Sequence, residues 1–177
     1  MKVLGAVVSF FLSANQNVDL LKQRLQFGYE AADEARSFLQ EKKYQEAAAS
    51  FADALNLGRK PAIELQELDD LPELRDESLQ WLIDVCCESS SLQLNHLEDL
   101  DAARADAWAA CVFSKYQAKR PLDCMMKVCK EGKDLFGEFQ TCKQMLDLPR
   151  QELGDKAARA EITQRIEQIE QELSNTD

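Results

Sequence analysis

The sequence predicts an all-α protein made of antiparallel helix hairpins stacked in a short array, with a capping helix at the C-terminus. Three observations lead there. Alanine, leucine, glutamate and glutamine dominate the 177 residues, whereas glycine and proline number only 6 and 4, a composition that favours helix throughout. The β-branched runs that mark strands are almost absent outside the N-terminal stretch. Small and aromatic residues recur at helical spacing where two helices must touch: Ala47, Phe51 and Ala54 share one face, and Ala103, Ala107 and Ala110 repeat the same four-then-three step. A hairpin of this kind cannot bury its apolar face alone, so neighbours stacked against it are expected.

Residues 1–14, MKVLGAVVSFFLSA, carry one lysine, an apolar centre and small residues at the end, the layout of a secretory signal peptide. The segment is too short to cross a bilayer, which takes ~20 apolar residues. If it is retained, Val3, Leu4, Val7, Phe10 and Phe11 need cover from the fold, a membrane interface or a membrane protein, with contact made through residues 3–12.

Residues 15–149 read as the helical array. Asn17 is a candidate N-cap, and Val18, Leu21 and Leu25 carry an apolar stripe onward, which predicts one helix to Lys42 with Gly28 as its weak point. The second helix, from Tyr44, closes at Leu57, with Gly58 as C-cap and Pro61 beyond. An acidic insert follows over 62–77, interrupted by Pro72. Helices are then expected over 78–94 and 97–114, separated by a turn at Asn95-His96, with Trp108 just beside the alanine stripe. Pro121 suits a first helical turn. A further hairpin turns about Gly132, and its Met125, Met126 and Met145 suit either core filling or an adaptable surface. Residues 150–177 form the capping helix after a break at Gly154. There Ile162, Ile166, Ile169 and Leu173 make a narrow stripe at 4-3-4 spacing, which closes the open end of the array or receives a partner helix.

Charge and chemistry narrow the function. A net charge of −11 opposes nucleic-acid binding, which depends on lysine and arginine neutralising phosphates, and makes a basic protein surface the natural complement. Six cysteines occur without a C-x-x-C pair, and His96 is the only histidine, so zinc spacing is absent. The cysteines read as buried free thiols, with a Cys129–Cys142 disulfide across the Gly132 turn as the alternative. No glycine-rich phosphate loop, H-E-x-x-H, EF-hand loop or G-x-S-x-G occurs. The expectation is a protein without catalytic residues, cofactor or metal.

Residues 28–61 read GYEAADEARSFLQEKKYQEAAASFADALNLGRKP, and Ala35, Phe38, Tyr44, Ala47, Phe51 and Ala54 fall in order at a recognisable set of small and aromatic positions. The stretch resembles a tetratricopeptide repeat (TPR). It departs from that pattern at Lys42, where a turn glycine is common, and at Pro61, which comes later than the family's terminal proline. The resemblance implies a right-handed TPR-like array that binds peptides or proteins and is not an enzyme. It also implies a partner groove along the first helix, carrying Tyr29, Ala32, Arg36, Leu39 and Gln40. Chaperone-binding members hold a C-terminal carboxylate with a lysine and an asparagine; Ala32 and Arg36 stand there, so chaperone-tail capture is not implied. Two functional readings follow. The first is a protein–protein interaction scaffold. The alternative is an accessory subunit of a photosynthetic or respiratory membrane assembly, intracellular and organellar, held at the membrane periphery partly by residues 3–12.

Overall fold

In the computed structural model the backbone is described for residues 2–154 and 156–175, and the side chains for 17–154 and 156–175. Every regular element among the described residues is helical, as composition and periodicity predict: α1 (Lys2–Gln40), α2 (Tyr44–Leu65), α3 (Pro72–Leu92), α4 (Leu100–Phe113), α5 (Lys119–Glu131), α6 (Leu135–Asp147), the short α7 (Arg150–Leu153) and α8 (Lys156–Ser174). A π-helical turn, Gln93–Leu97, extends α3. Two compact units divide the chain, Met1–Leu82 and Ile83–Asp177, with the division falling inside α3.

In the first unit α2 folds back along α1 and buries the predicted small and aromatic stripe. Ala32 and Ala35 meet a face of α2 that carries Ala47, Phe51 and Ala54, all without solvent exposure. Three local expectations are corrected here. Helix α1 begins at Lys2, so Asn17 lies within a helix and does not cap one. Gly58 and Pro61 do not end α2; both are buried inside it. Gly58 sits where the two helices approach closely: a Cβ on Gly28 would stand 3.1 Å from the Gly58 Cα, and a Cβ on Gly58 would lie 2.2 Å from the Trp81 ring. The glycines therefore serve packing. Pro61 removes one helical donor, whose acceptor would be the carbonyl of Leu57, a residue that is itself exposed. Pro72, within the acidic insert, is the first residue of α3, a position where a missing N–H costs nothing. Gln66 Nε2 ties the intervening turn to α3 through a 2.9 Å bond to the Arg75 carbonyl.

In the second unit α4, α5, α6 and α8 pack each on the one before. Asp99 caps α4 by accepting from the Ala102 N–H, and Asp134 caps α6 by accepting from the Gly137 N–H. Leu122, Cys111, Met145, Leu148 and Leu153 form one buried cluster, with Ile162 packed against it; Ala103, Ala107 and Val128 form a second. Helix α8 is fastened to α6 by polar groups as well. Arg159 donates to the carbonyls of Leu146 and Leu148 at the end of α6. The Arg165 guanidinium grips the buried Glu138 carboxylate in a two-pronged pair at 2.8 Å.

Three helix ends close in the same way. In the turns after α1, α4 and α5, Lys42, Lys115 and Lys133 take positive φ of 60°, 53° and 53°. The N–H of each following residue reaches the carbonyl five residues back, as from Lys43 to Phe38 and from Asp134 to Cys129. This is the Schellman closure, with lysine where glycine is usual. The positive charge beside the C-terminal carbonyls offsets part of the backbone strain.

Candidate functional site

The second unit carries a groove of about 470 Å³ whose residues come from three consecutive helices. One wall is Asp101, Arg104, Ala105 and Trp108 of α4; the other is Gly137, Gln140, Thr141 and Gln144 of α6. Each set follows the i, i+3, i+4, i+7 rule for a single helical face. Met125 and Cys129 of α5 lie between the walls, with Tyr116 and Asp134 supplied by the adjoining turns.

Local chemistry holds this shape. Asp134 caps α6 and stands 3.4 Å from Arg104 Nη1. Gly137 makes room for that cap: a Cβ there would fall 2.6 Å from an Asp134 carboxylate oxygen and 2.9 Å from the Cys129 sulfur. Thr141 donates back to the Gly137 carbonyl at 2.8 Å. Burial, with Asp134 adding to it, pushes the Cys129 thiol above its ordinary value, so the sulfur is a protonated, apolar surface and not a nucleophile. The Arg104 Nε is buried without a hydrogen-bond partner. Trp108 is 57% exposed, an uncommon cost for an indole in a helical protein. The site offers an aromatic face, a methionine, amide groups, the Asp101 carboxylate and the Asp134–Arg104 pair. That set suits recognition of a basic side chain flanked by apolar ones, through cation–π and carboxylate contacts. It contains no paired acid and base poised for proton transfer.

The residues singled out by the tetratricopeptide resemblance lie on α1 and do not line this groove. Tyr29 meets Trp81 edge to face at 4.9 Å. Arg36 is held by Asp33 at 2.7 Å, Leu39 is half-buried and Gln40 is exposed. Of the α8 stripe, Ile169 is fully buried, Ile162 packs in the unit core, Ile166 is half-buried and Leu173 is 37% exposed. The side chains of Val3, Leu4, Val7, Phe10 and Phe11 lie outside the described residues. All six cysteines are free thiols; Cys129 and Cys142 are both buried and unlinked. Among the described residues no group of three or more His, Cys, Asp or Glu could hold a metal ion, and no helix is long and apolar enough to cross a membrane.

No family model, curated protein or solved structure matches this chain.

Trp108 carries a signal that could have pointed to the groove from sequence. It lies one residue beyond Ala107, outside the small-residue stripe, and indole is rarely placed on a solvated face without use. The α6 wall carries no such mark, because Gly137, Gln140, Thr141 and Gln144 resemble any polar helical face.

Proposed function

We propose that this chain is a non-enzymatic protein–protein interaction scaffold built on TPR-like helical hairpins, and that its second unit receives a basic, apolar-anchored segment of a partner protein in the α4–α5–α6 groove. The observation that carries this reading is the exposed indole of Trp108 on a wall that also bears Asp101 and Arg104, with Met125 between the walls. Tryptophan and methionine are enriched where interfaces anchor, and acidic groups at the rim select basic partners. The net charge of −11 gives the same preference at long range. The tagged full chain and its Trp108→Ala/Asp101→Lys variant, isolated side by side from the source cells, test the idea. Proteins held at fixed stoichiometry by the parent and lost by the variant support it; identical retention by both sinks the groove as the docking site.

A peripheral accessory-subunit role is the second reading. It is favoured by α1, which continues as one helix back to Lys2 and, at 39 residues against 22, outruns α2. The apolar residues 3–11 then sit on a helical extension, a form suited to a membrane interface or a membrane protein. Deleting residues 1–14 should release the chain from membranes; undiminished association would remove this reading.

A further inference from the structure

Large apolar side chains exposed by the second unit gather at the α4–α5–α6 groove. Trp108 and Val112, 57% and 39% exposed, stand one turn apart along α4. Phe136, 64% exposed, lies one turn before Gln140 of the opposite wall. Met125 of α5 shows between the walls. Apolar surface therefore runs over both crests as well as along the floor, which calls for a broad occupant.

The width selects the kind of occupant. The crests belong to two helices with a row of a third between them, and packed helices stand ~8–10 Å apart. An extended chain takes up ~5 Å beside its neighbour and meets one crest or the floor. A helix, ~10–12 Å across with its side chains, touches both crests and Met125 together. The walls also present no main-chain edge, because the backbone groups of α4 and α6 are spent within those helices. An extended segment would find little beyond Gln140 and Gln144 for its inward-facing backbone, whereas a helix satisfies its own.

Charge sets the direction. Arg104 and Asp134 offset one another at 3.4 Å, and Lys115 and Asp147 carry opposite charges at the far end. Asp101, in the first turn of α4, is the charge left over. Short turns join α4 to α5 and α5 to α6, so α4 and α6 point the same way and their dipoles add. A helix laid antiparallel to both opposes those dipoles favourably and brings its own C-terminal turn to Asp101, where lysine or arginine suits both the helix end and the carboxylate.

We propose that the groove receives an amphipathic helix of about three turns, antiparallel to α4 and α6, with its apolar stripe on Trp108, Met125 and Phe136 and a basic residue of its last turn on Asp101. This rests on the groove reading above and adds conformation and direction to it.

Three synthetic peptides of about 14 residues, each carrying a fluorescent label, test it by anisotropy with the full chain. The first has leucines at helical spacing and lysines in its last turn. The second carries the lysines in its first turn. The third is the first with two central residues replaced by proline, which bars a helix. The first should bind, the second about threefold more weakly and the third at least about tenfold more weakly. Asp101→Lys should reverse the order of the first two; the residue is exposed, so the fold is not at stake. Equal binding of the third peptide overturns the helix, and tighter binding of the second overturns the direction. In either case, loss of binding in Trp108→Ala/Asp101→Lys leaves the groove standing as the docking site. Binding of the first peptide that this double variant retains removes the groove itself, and failure of the first to bind the parent overturns the proposal.

Discussion

At Gly58 a single hydrogen atom decides the packing of the first unit. Alanine usually stabilises an exposed helix interior over glycine by about 1 kcal/mol. Here the added methyl would enter the Trp81 ring, where its carbon would lie 2.2 Å from the nearest ring atom. Overpacking of that kind costs ~1–3 kcal/mol, so Gly58→Ala should lower the melting temperature; a rise would show that Trp81 swings aside freely. The adjacent Tyr29 hydroxyl and the Trp81 indole nitrogen are both buried without a hydrogen-bond partner. Burial, with Glu77 adding to it, pushes the Tyr29 phenol up from 10.0 to about 12. The folded state thus favours the protonated phenol. Its contribution is fully present below pH 10.0 and is lost as pH rises toward about 12. Tyr29→Phe removes an unsatisfied donor, so stability at neutral pH should hold or rise by ~1 kcal/mol, and the decline above pH 10.0 should become shallower in denaturant titrations. A large loss at neutral pH would mean that the hydroxyl has a partner after all.

At the scale of the element, α8 is the clearest case of a helix secured by specific side chains. Its charged sequence offers little apolar surface beyond Ile162, Ile166 and Ile169, and only Ile169 is fully buried. The Glu138–Arg165 pair sets its register on α6. Without Arg165 the buried Glu138 carboxylate keeps only Lys130 Nζ, 3.9 Å away, so its charge is left poorly compensated, where a fully unpaired buried charge costs about 3–5 kcal/mol. Arg165→Met should therefore destabilise the second unit strongly, and the double variant Glu138→Leu/Arg165→Met should recover much of the loss. A double variant as unstable as the single one would argue against unpaired charge as the cause. Arg165 holds the Glu138 carboxyl below its ordinary value of 4.5. The pair's contribution is complete above pH 4.5 and disappears as pH falls through the lowered folded value. Acid unfolding of the parent should be steeper over that range than that of the double variant.

For the whole molecule, charge is the dominant property. A surface with a net charge of −11 attracts basic partners over roughly the Debye length, ~10 Å at 0.1 M salt and ~3 Å at 1 M. A partner captured by the α4–α5–α6 groove should therefore lose association rate as salt rises, while its dissociation rate, set by contacts with Trp108 and Met125, changes less. Surface plasmon resonance across a salt series separates the two. A salt effect confined to dissociation would mean that the acidic field does not steer the encounter.

Sequence and tertiary structure decided different things. Composition and apolar spacing determined that the chain is helical, because helix propensity and the 3.6-residue period are local properties. Ala47, Phe51, Ala54 and Ala103, Ala107, Ala110 announced their buried faces through the same period. Local signals failed where a residue's role depends on what lies opposite. Gly58 and Pro61 read as a helix terminator, yet both are buried inside α2, with Gly58 packed against the Trp81 ring. Lys115 and Lys133 gave no sign that they would take glycine's place in helix closures, whereas Lys42 stood where the tetratricopeptide pattern commonly has a turn glycine. Nothing local to Glu138 marks it for burial; Arg165, 27 residues later in the chain, comes to rest on it. The groove walls join residues from separate helices. No single periodicity encodes such pairings, because they arise only when the helices pack.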